Sequence, residues 1–196
     1  GNLPVAERVA KDDAARLAQT GATAGVIVVG LWNTEQRRRE YMPQSPLAEP
    51  EAAALAASFA AENGGPPLSD AYLKCLVEEV KPLVDATWRT LPDRAHTWLM
   101  GSSMGGLVSL YGLSTHHDVF GAAACLSTHW TIGGDHLVRG LADLLPRPGV
   151  HRLYFDYGTE TVDAGYEPFQ AQFDHELHLA GYRPGLDWIT RRFAGA

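Results

Sequence analysis

The chain has 196 residues, 45% hydrophobic and 20% charged, the balance of a single globular domain long enough to bury a sizeable core. Sixteen Lys plus Arg against 23 Asp plus Glu give a net charge of −7, which argues against a broad electrostatic footprint for nucleic acid or an anionic membrane surface. The longest apolar run, Ala24 to Trp32, is about half the roughly 20 residues a membrane-spanning helix needs, so no membrane insertion is expected.

Taken in chain order, Pro4, Val5, Val9 and Leu17 at helical spacing, closed by Gly21, predict a first helix over about 4 to 20. Ala24 to Leu31 (AGVIVVGL) is a β-branched run bounded by glycine and Asn33, which predicts a strand buried on both faces. Residues 32 to 68 read as a long irregular excursion with an Ala-rich helix near Glu49 to Ala61 and a breaker, NGGPP, at 63 to 67. Ser69 is expected to cap a helix of about twenty residues, with Tyr72, Leu73, Leu76, Val77, Val80, Leu83, Val84 and Trp88 on its apolar face and Pro82 as a potential kink.

After a turn at Leu91 to Arg94 the pattern alternates: strand His96 to Gly101, helix Gly105 to Thr115, strand Gly121 to Ser127, helix Asp135 to Leu145, strand Arg152 to Tyr157. A helix near Gly165 to Ala180 and a strand Leu186 to Phe193 complete it. This order predicts a three-layer α/β/α fold, a mostly parallel sheet covered on both faces, with ligands bound beyond the carboxyl ends of the strands. Cys75 falls on a helical pattern and Cys125 in an apolar strand pattern, so two buried free thiols are expected. No spacing of zinc-ligand type occurs and no cofactor is called for. Compartment stays open between cytosol and export, as does oligomeric state.

Gly101-Ser102-Ser103-Met104-Gly105 reads G-x-S-x-G, with a strand running into it and a helix running out, the setting a nucleophile elbow requires. Ser103 would stand at the carboxyl edge of the sheet, where the Met104 N–H could stabilise an oxyanion. A serine needs a base, usually a histidine oriented by a carboxylate, in the chain order nucleophile, acid, histidine. The acid is expected after RLYFDYG, with Asp163 preferred and Glu160 second; either could instead cap the next helix. After Phe193 only Ala194, Gly195 and Ala196 remain, so no histidine stands where the base is expected. Of the eight histidines, His96, His116 and His117 read as structural, and His175 with His178 as a solvated helix face before a metal pair. His129, near the carboxyl edge, could line the pocket.

These segments resemble the putative-esterase branch of the α/β-hydrolases, which includes enterochelin esterases, feruloyl and acetylxylan esterases, S-formylglutathione hydrolase and mycolyltransferases. GSSMGGLVSLYG resembles its elbow, DAYLKCLVEEVKPLVDATWRTLPDR the helix leading to it, and NTEQRRREYMPQSP a segment with Arg37, Glu40 and Tyr41 at matching positions. DVFGAAACLSTHW and LYFDYGTETVDAGYEP resemble the next two strands with their loops. The resemblance implies a serine carboxylic-ester hydrolase acting on a small-molecule or carbohydrate-linked ester. Ser103 would be the nucleophile, Met104 and Gly1 the oxyanion donors, and Arg37, Glu40 and Trp130 pocket residues. An ordinary salt bridge and a core aromatic are the alternatives for those three. An acyltransferase with the same nucleophile and a non-catalytic binding protein on the same fold are the competing readings. It also implies a fragment: the family's first three strands and its catalytic histidine, expected just past Ala196, are not in the chain, and a gap would open in the sheet beside Thr97 to Gly101. These 196 residues alone are then expected to fold poorly and to be inactive.

Overall fold

The computed structural model describes residues 25–195, in two units, 1–35 and 36–196. The helix expected over 4 to 20 and the oxyanion position Gly1 lie outside the described residues. In the first unit, 25–34 has no regular secondary structure, and Val26 to Val29 are about half exposed. The predicted strand there is therefore corrected. A β-branched run is compatible with a strand, but a strand exists only where a neighbour supplies N–H and C=O groups, and no described residue pairs with this run.

The second unit begins with short helical turns where irregular chain was expected, α1 (Arg37–Tyr41), α2 (Ser45–Ala48) and a 3-10 turn at Pro50–Ala52, followed by α3 (Ala53–Asn63) where the Ala-rich helix was expected. Gly64, left-handed at φ 73°, ends α3 where the breaker was expected. Arg39 ties α1 to the following loop, its Nε donating to the Pro66 carbonyl at 2.8 Å while its own carbonyl accepts from the Leu68 N–H at 2.7 Å. The long helix runs from Ser69 to Thr87 in three parts: α4 (Ser69–Cys75), a π-turn at Leu76–Val80, and α5 (Lys81–Thr87). Pro82 follows closely on the π-turn, so the regular bonding of the long helix is altered next to the residue that lacks an N–H. Ser69 does not cap this helix. It lies inside it, with Leu68 at the cap position and its hydroxyl buried without a partner. Leu73 and Leu76 are buried, whereas Leu83 and Trp88 are exposed.

Four parallel strands follow, β1 (Trp98–Ser102), β2 (Ala122–Leu126), β3 (Arg152–Gly158) and β4 (Trp188–Phe193), in the spatial order β1-β2-β3-β4. They alternate with α6 (Met104–Thr115), α7 (Gly134–Asp143) and α8 (Glu167–Leu179), so the predicted α/β class stands. Register aligns Leu99, Ala123, Leu153 and Trp188 in one row and Gly101, Cys125, Phe155 and Thr190 in the next. Ala123, Cys125, Leu153, Phe155 and Trp188 in these rows are buried in one core with Leu107, Leu110, Leu137, Leu141, Phe173 and Leu177 of the helices. The alternate row, Met100, Ala124, Tyr154 and Ile189, is half-buried to exposed. Strands added in sequence order by right-handed crossovers bring every connecting helix to the same face. Among the described residues the connecting helices pack on the buried row that contains Ala123, Leu153 and Trp188, within a parallel sheet flanked by helices. Cys125 is buried and Cys75 only half-buried, both as free thiols.

Candidate active site

At the carboxyl end of β1 the chain turns sharply into α6, and Ser103 occupies the corner with φ 60° and ψ −122°. A side chain of the L series rarely adopts this conformation, and it persists only where surroundings enforce it. Here the Ser103 N–H donates to the Leu126 carbonyl of β2 at 2.9 Å, and the Ser103 carbonyl accepts from the Gly106 N–H at 3.0 Å. Gly101 is required by close approach, because a Cβ there would meet the Gly105 carbonyl oxygen at 2.4 Å. Gly105, which the motif also makes small, faces open space. Ser103 is half-buried and stands at the N-terminus of α6, with Met104 buried as its first residue. The first amides of a helix have no intrahelical partner and point at whatever stands beyond the end.

Among the described residues three non-glycine residues have positive φ: Ser103, Ser127 at 42° and Thr161 at 57°. Ser103 follows β1, Ser127 follows β2 and Thr161 lies in the loop after β3. Backbone strain is therefore concentrated along one edge, the carboxyl edge, on three consecutive strands.

Asp163 lies in the loop after β3, in a 3-10 turn over Thr161–Gly165, and is buried. Its Oδ2 accepts from the Ser127 hydroxyl at 2.6 Å and from the Gly158 N–H at 2.8 Å. Glu160 is exposed, and its carbonyl accepts from the Asp163 N–H at 3.2 Å. Neither carboxylate caps α8, whose cap residue is Tyr166 and uses no side-chain bond.

Beside Ser103 stands a tyrosine that its sequence spacing gave no reason to select. Tyr166 is buried, and its hydroxyl is 2.7 Å from Nδ1 of His129, the rings edge-on with centroids 5.8 Å apart. Burial first and then the nearby Asp163 carboxylate push the Tyr166 phenol above its ordinary range, against a hydrogen bond with the Ser103 side chain. His129 is half-buried, and its main-chain N–H donates to the Ser103 carbonyl at 3.3 Å. Burial, then the charges of Arg38 and Arg37, hold His129 below the usual imidazole range. The guanidinium of Arg37 lies 5.2 Å from the centre of the Tyr41 ring, and Glu40 acts on the phenol of Tyr72.

Trp130 has no exposed surface. Its indole N–H donates to Gln170 at 3.0 Å and its ring stacks on Phe173 at 5.0 Å. A ring enclosed in this way packs the core, which is the alternative reading given for this residue. His96 sits before β1, bonded to Asp93 at 2.8 Å, and His116 and His117 end α6. His175 and His178 are exposed on α8, and no cluster able to hold a metal occurs among the described residues.

A family model described as putative esterase matches residues 8–171. The chain belongs to the putative esterase family. Esterases also appear among solved structures of the same fold. The chain is similar to an IroE-like serine hydrolase from Shewanella oneidensis, with a TM-score of 0.66 at 20% identity, covering 93% of this chain and 60% of that one. It is similar to the enterobactin esterase of Shigella flexneri in the presence of enterobactin, with a TM-score of 0.54 at 17% identity over 76% and 36% of the chains. A ferulic acid esterase from Anaeromyces mucronatus in complex with ferulic acid gives 0.52 at 20% identity over 65% and 48%. A Bacillus subtilis relative, the uncharacterized protein YbbA, is 24% identical over 136 residues, 69% of this chain. The chain spans about half the length of that curated relative, 49%. No described helix is long and apolar enough to cross a membrane.

Proposed function

We propose that the protein is a serine carboxylic-ester hydrolase. The observation that carries the reading is the strained corner at Ser103, a non-glycine residue held at φ 60° between a parallel strand and a helix N-terminus, in a chain of the putative esterase family. In this reading Ser103 Oγ attacks the ester carbonyl, and the Met104 N–H stabilises the tetrahedral oxyanion. A histidine takes the serine proton and passes it to the departing alcohol. Asp163, rather than the exposed Glu160, orients that histidine. Water then attacks the acyl-serine and releases the acid.

The base in this scheme is the histidine that the family resemblance places after the last strand. His129 is less suited, since its Nδ1 is engaged by Tyr166 and an imidazolium there would face the charges of Arg37 and Arg38. In this reading Arg37, Glu40 and His129 are pocket residues for a small-molecule or carbohydrate-linked ester, a role supported by the charge effect of Arg37 and Arg38 on His129. The test is labelling of the native-length protein with a fluorophosphonate and turnover of a p-nitrophenyl ester. Covalent labelling that maps to Ser103, with ester turnover, is the expected result. Absence of both would leave a non-catalytic binding protein.

A further inference from the structure

We propose that Ser127 is a positioning residue of this site, holding the Asp163 carboxylate so that its second oxygen, Oδ1, is presented to the base. The inference rests on the hydrolase reading above. Ser127 leaves β2 between the nucleophile strand and the strand that leads to the acid. Its N–H donates to the Asp156 carbonyl at 3.0 Å, and its hydroxyl reaches across to Asp163 Oδ2 at 2.6 Å. The Gly158 N–H donates to the same oxygen at 2.8 Å.

A carboxylate oxygen offers two lone pairs, so two donors occupy Oδ2 fully. No donor from the described residues reaches Oδ1. A carboxylate held through one oxygen by two donors from different strands cannot swing about its last torsion. The oxygen left over then faces one way, as an orienting carboxylate must. Gly158 contributes a main-chain donor that no side-chain substitution removes, which leaves the Ser127 hydroxyl as the adjustable half of the clamp. The backbone at Ser127 is strained at φ 42°, a conformation in which glycine would be easier. The serine there brings a hydroxyl that glycine cannot.

The experiment uses the native-length protein with S127A, S127G, D163N, S103A and the S127A/D163N double variant, each followed by thermal unfolding and p-nitrophenyl acetate kinetics. S127A is expected to lower kcat about tenfold to a hundredfold, the loss of one hydrogen bond to a charged group, with KM changed less than about threefold. S127G, which relieves the backbone, should lose as much kcat while unfolding no lower than S127A. The double variant should be no slower than D163N, because the hydroxyl acts only through that carboxylate. An S127A or S127G kcat within about twofold of the parent overturns the inference, as does an S127A loss that multiplies the D163N loss. Turnover retained in S103A overturns the hydrolase reading, and this inference with it.

Discussion

Ser103, Asp163 and Glu160 are three side chains whose roles separate cleanly by substitution. Ser103→Ala removes one oxygen from a half-buried position, so thermal stability should hold while turnover of a p-nitrophenyl ester falls by about a thousandfold or more. Unchanged turnover would remove Ser103 from the mechanism. Asp163 is buried under two donors and Glu160 is exposed, so Asp163→Asn should cost roughly a hundredfold or more in kcat and Glu160→Gln little. A larger loss in the second would reverse the assignment. The sharp corner at Ser103 was legible in the sequence, because a strand running straight into a helix through glycines demands a tight turn. Ser127 and Tyr166 were not legible. They meet Asp163 and Ser103 across 36 and 63 residues of chain, and no local periodicity encodes such a meeting.

The glycines of the elbow show how one element holds its geometry. Gly101→Ala would press a Cβ against the Gly105 carbonyl at 2.4 Å. Displacing main chain costs about 3 kcal/mol, so differential scanning calorimetry should show a transition lower by roughly 6–12 °C, with loss of Ser103 labelling. Gly105→Ala, with open space around its Cβ position, should keep or slightly raise the transition, as expected of alanine within a helix. Equal effects of the two would mean that the corner is not as tight as it looks. Elements with both a clear period and clear terminators, β1 to β4 and α6 to α8, match their expected ranges within a few residues. The run at 24–31 does not: its composition allows a strand, but strand formation belongs to the partner as much as to the segment. The Ser69 cap fails for a related reason, since the helix begins one residue earlier than the cap pattern implies and buries that hydroxyl.

At the scale of the whole molecule, the core reports on itself through two buried groups. Burial pushes the Cys125 thiol far above its usual range, with Asp156 adding to the effect. A water-soluble disulfide reagent should therefore leave Cys125 unmodified in the folded protein and react with it at once in denaturant; mass spectrometry of the labelled peptide decides this. His151 is buried, with Nε2 2.8 Å from the His117 carbonyl. Burial, then Arg94 and His117, hold its imidazole below the ordinary value, outweighing the carbonyls that favour its charged form. The folded state thus binds its proton less readily than the unfolded chain, whose imidazole titrates near ~6.5. The stability this contributes is present above that pH and is lost as pH falls towards the folded value. Melting temperature should fall between about pH 7 and 5, and His151→Gln should flatten that slope; an unchanged slope would assign it to other groups.

The sequence by itself determined the α/β class, the chain order of its strands and helices, and the tight strand-to-helix corner at Ser103. Each of these rests on local pattern: hydrophobic period, turn residues, and small residues around Ser103. Only the tertiary structure decided which row of the sheet the connecting helices pack on, that Trp130 belongs to the core, and that Ser127, Gly158 and Asp163 form one clamp. These depend on side chains brought together from separate strands, and on handed crossovers acting over the whole sheet. Such relations exist only once the chain is folded.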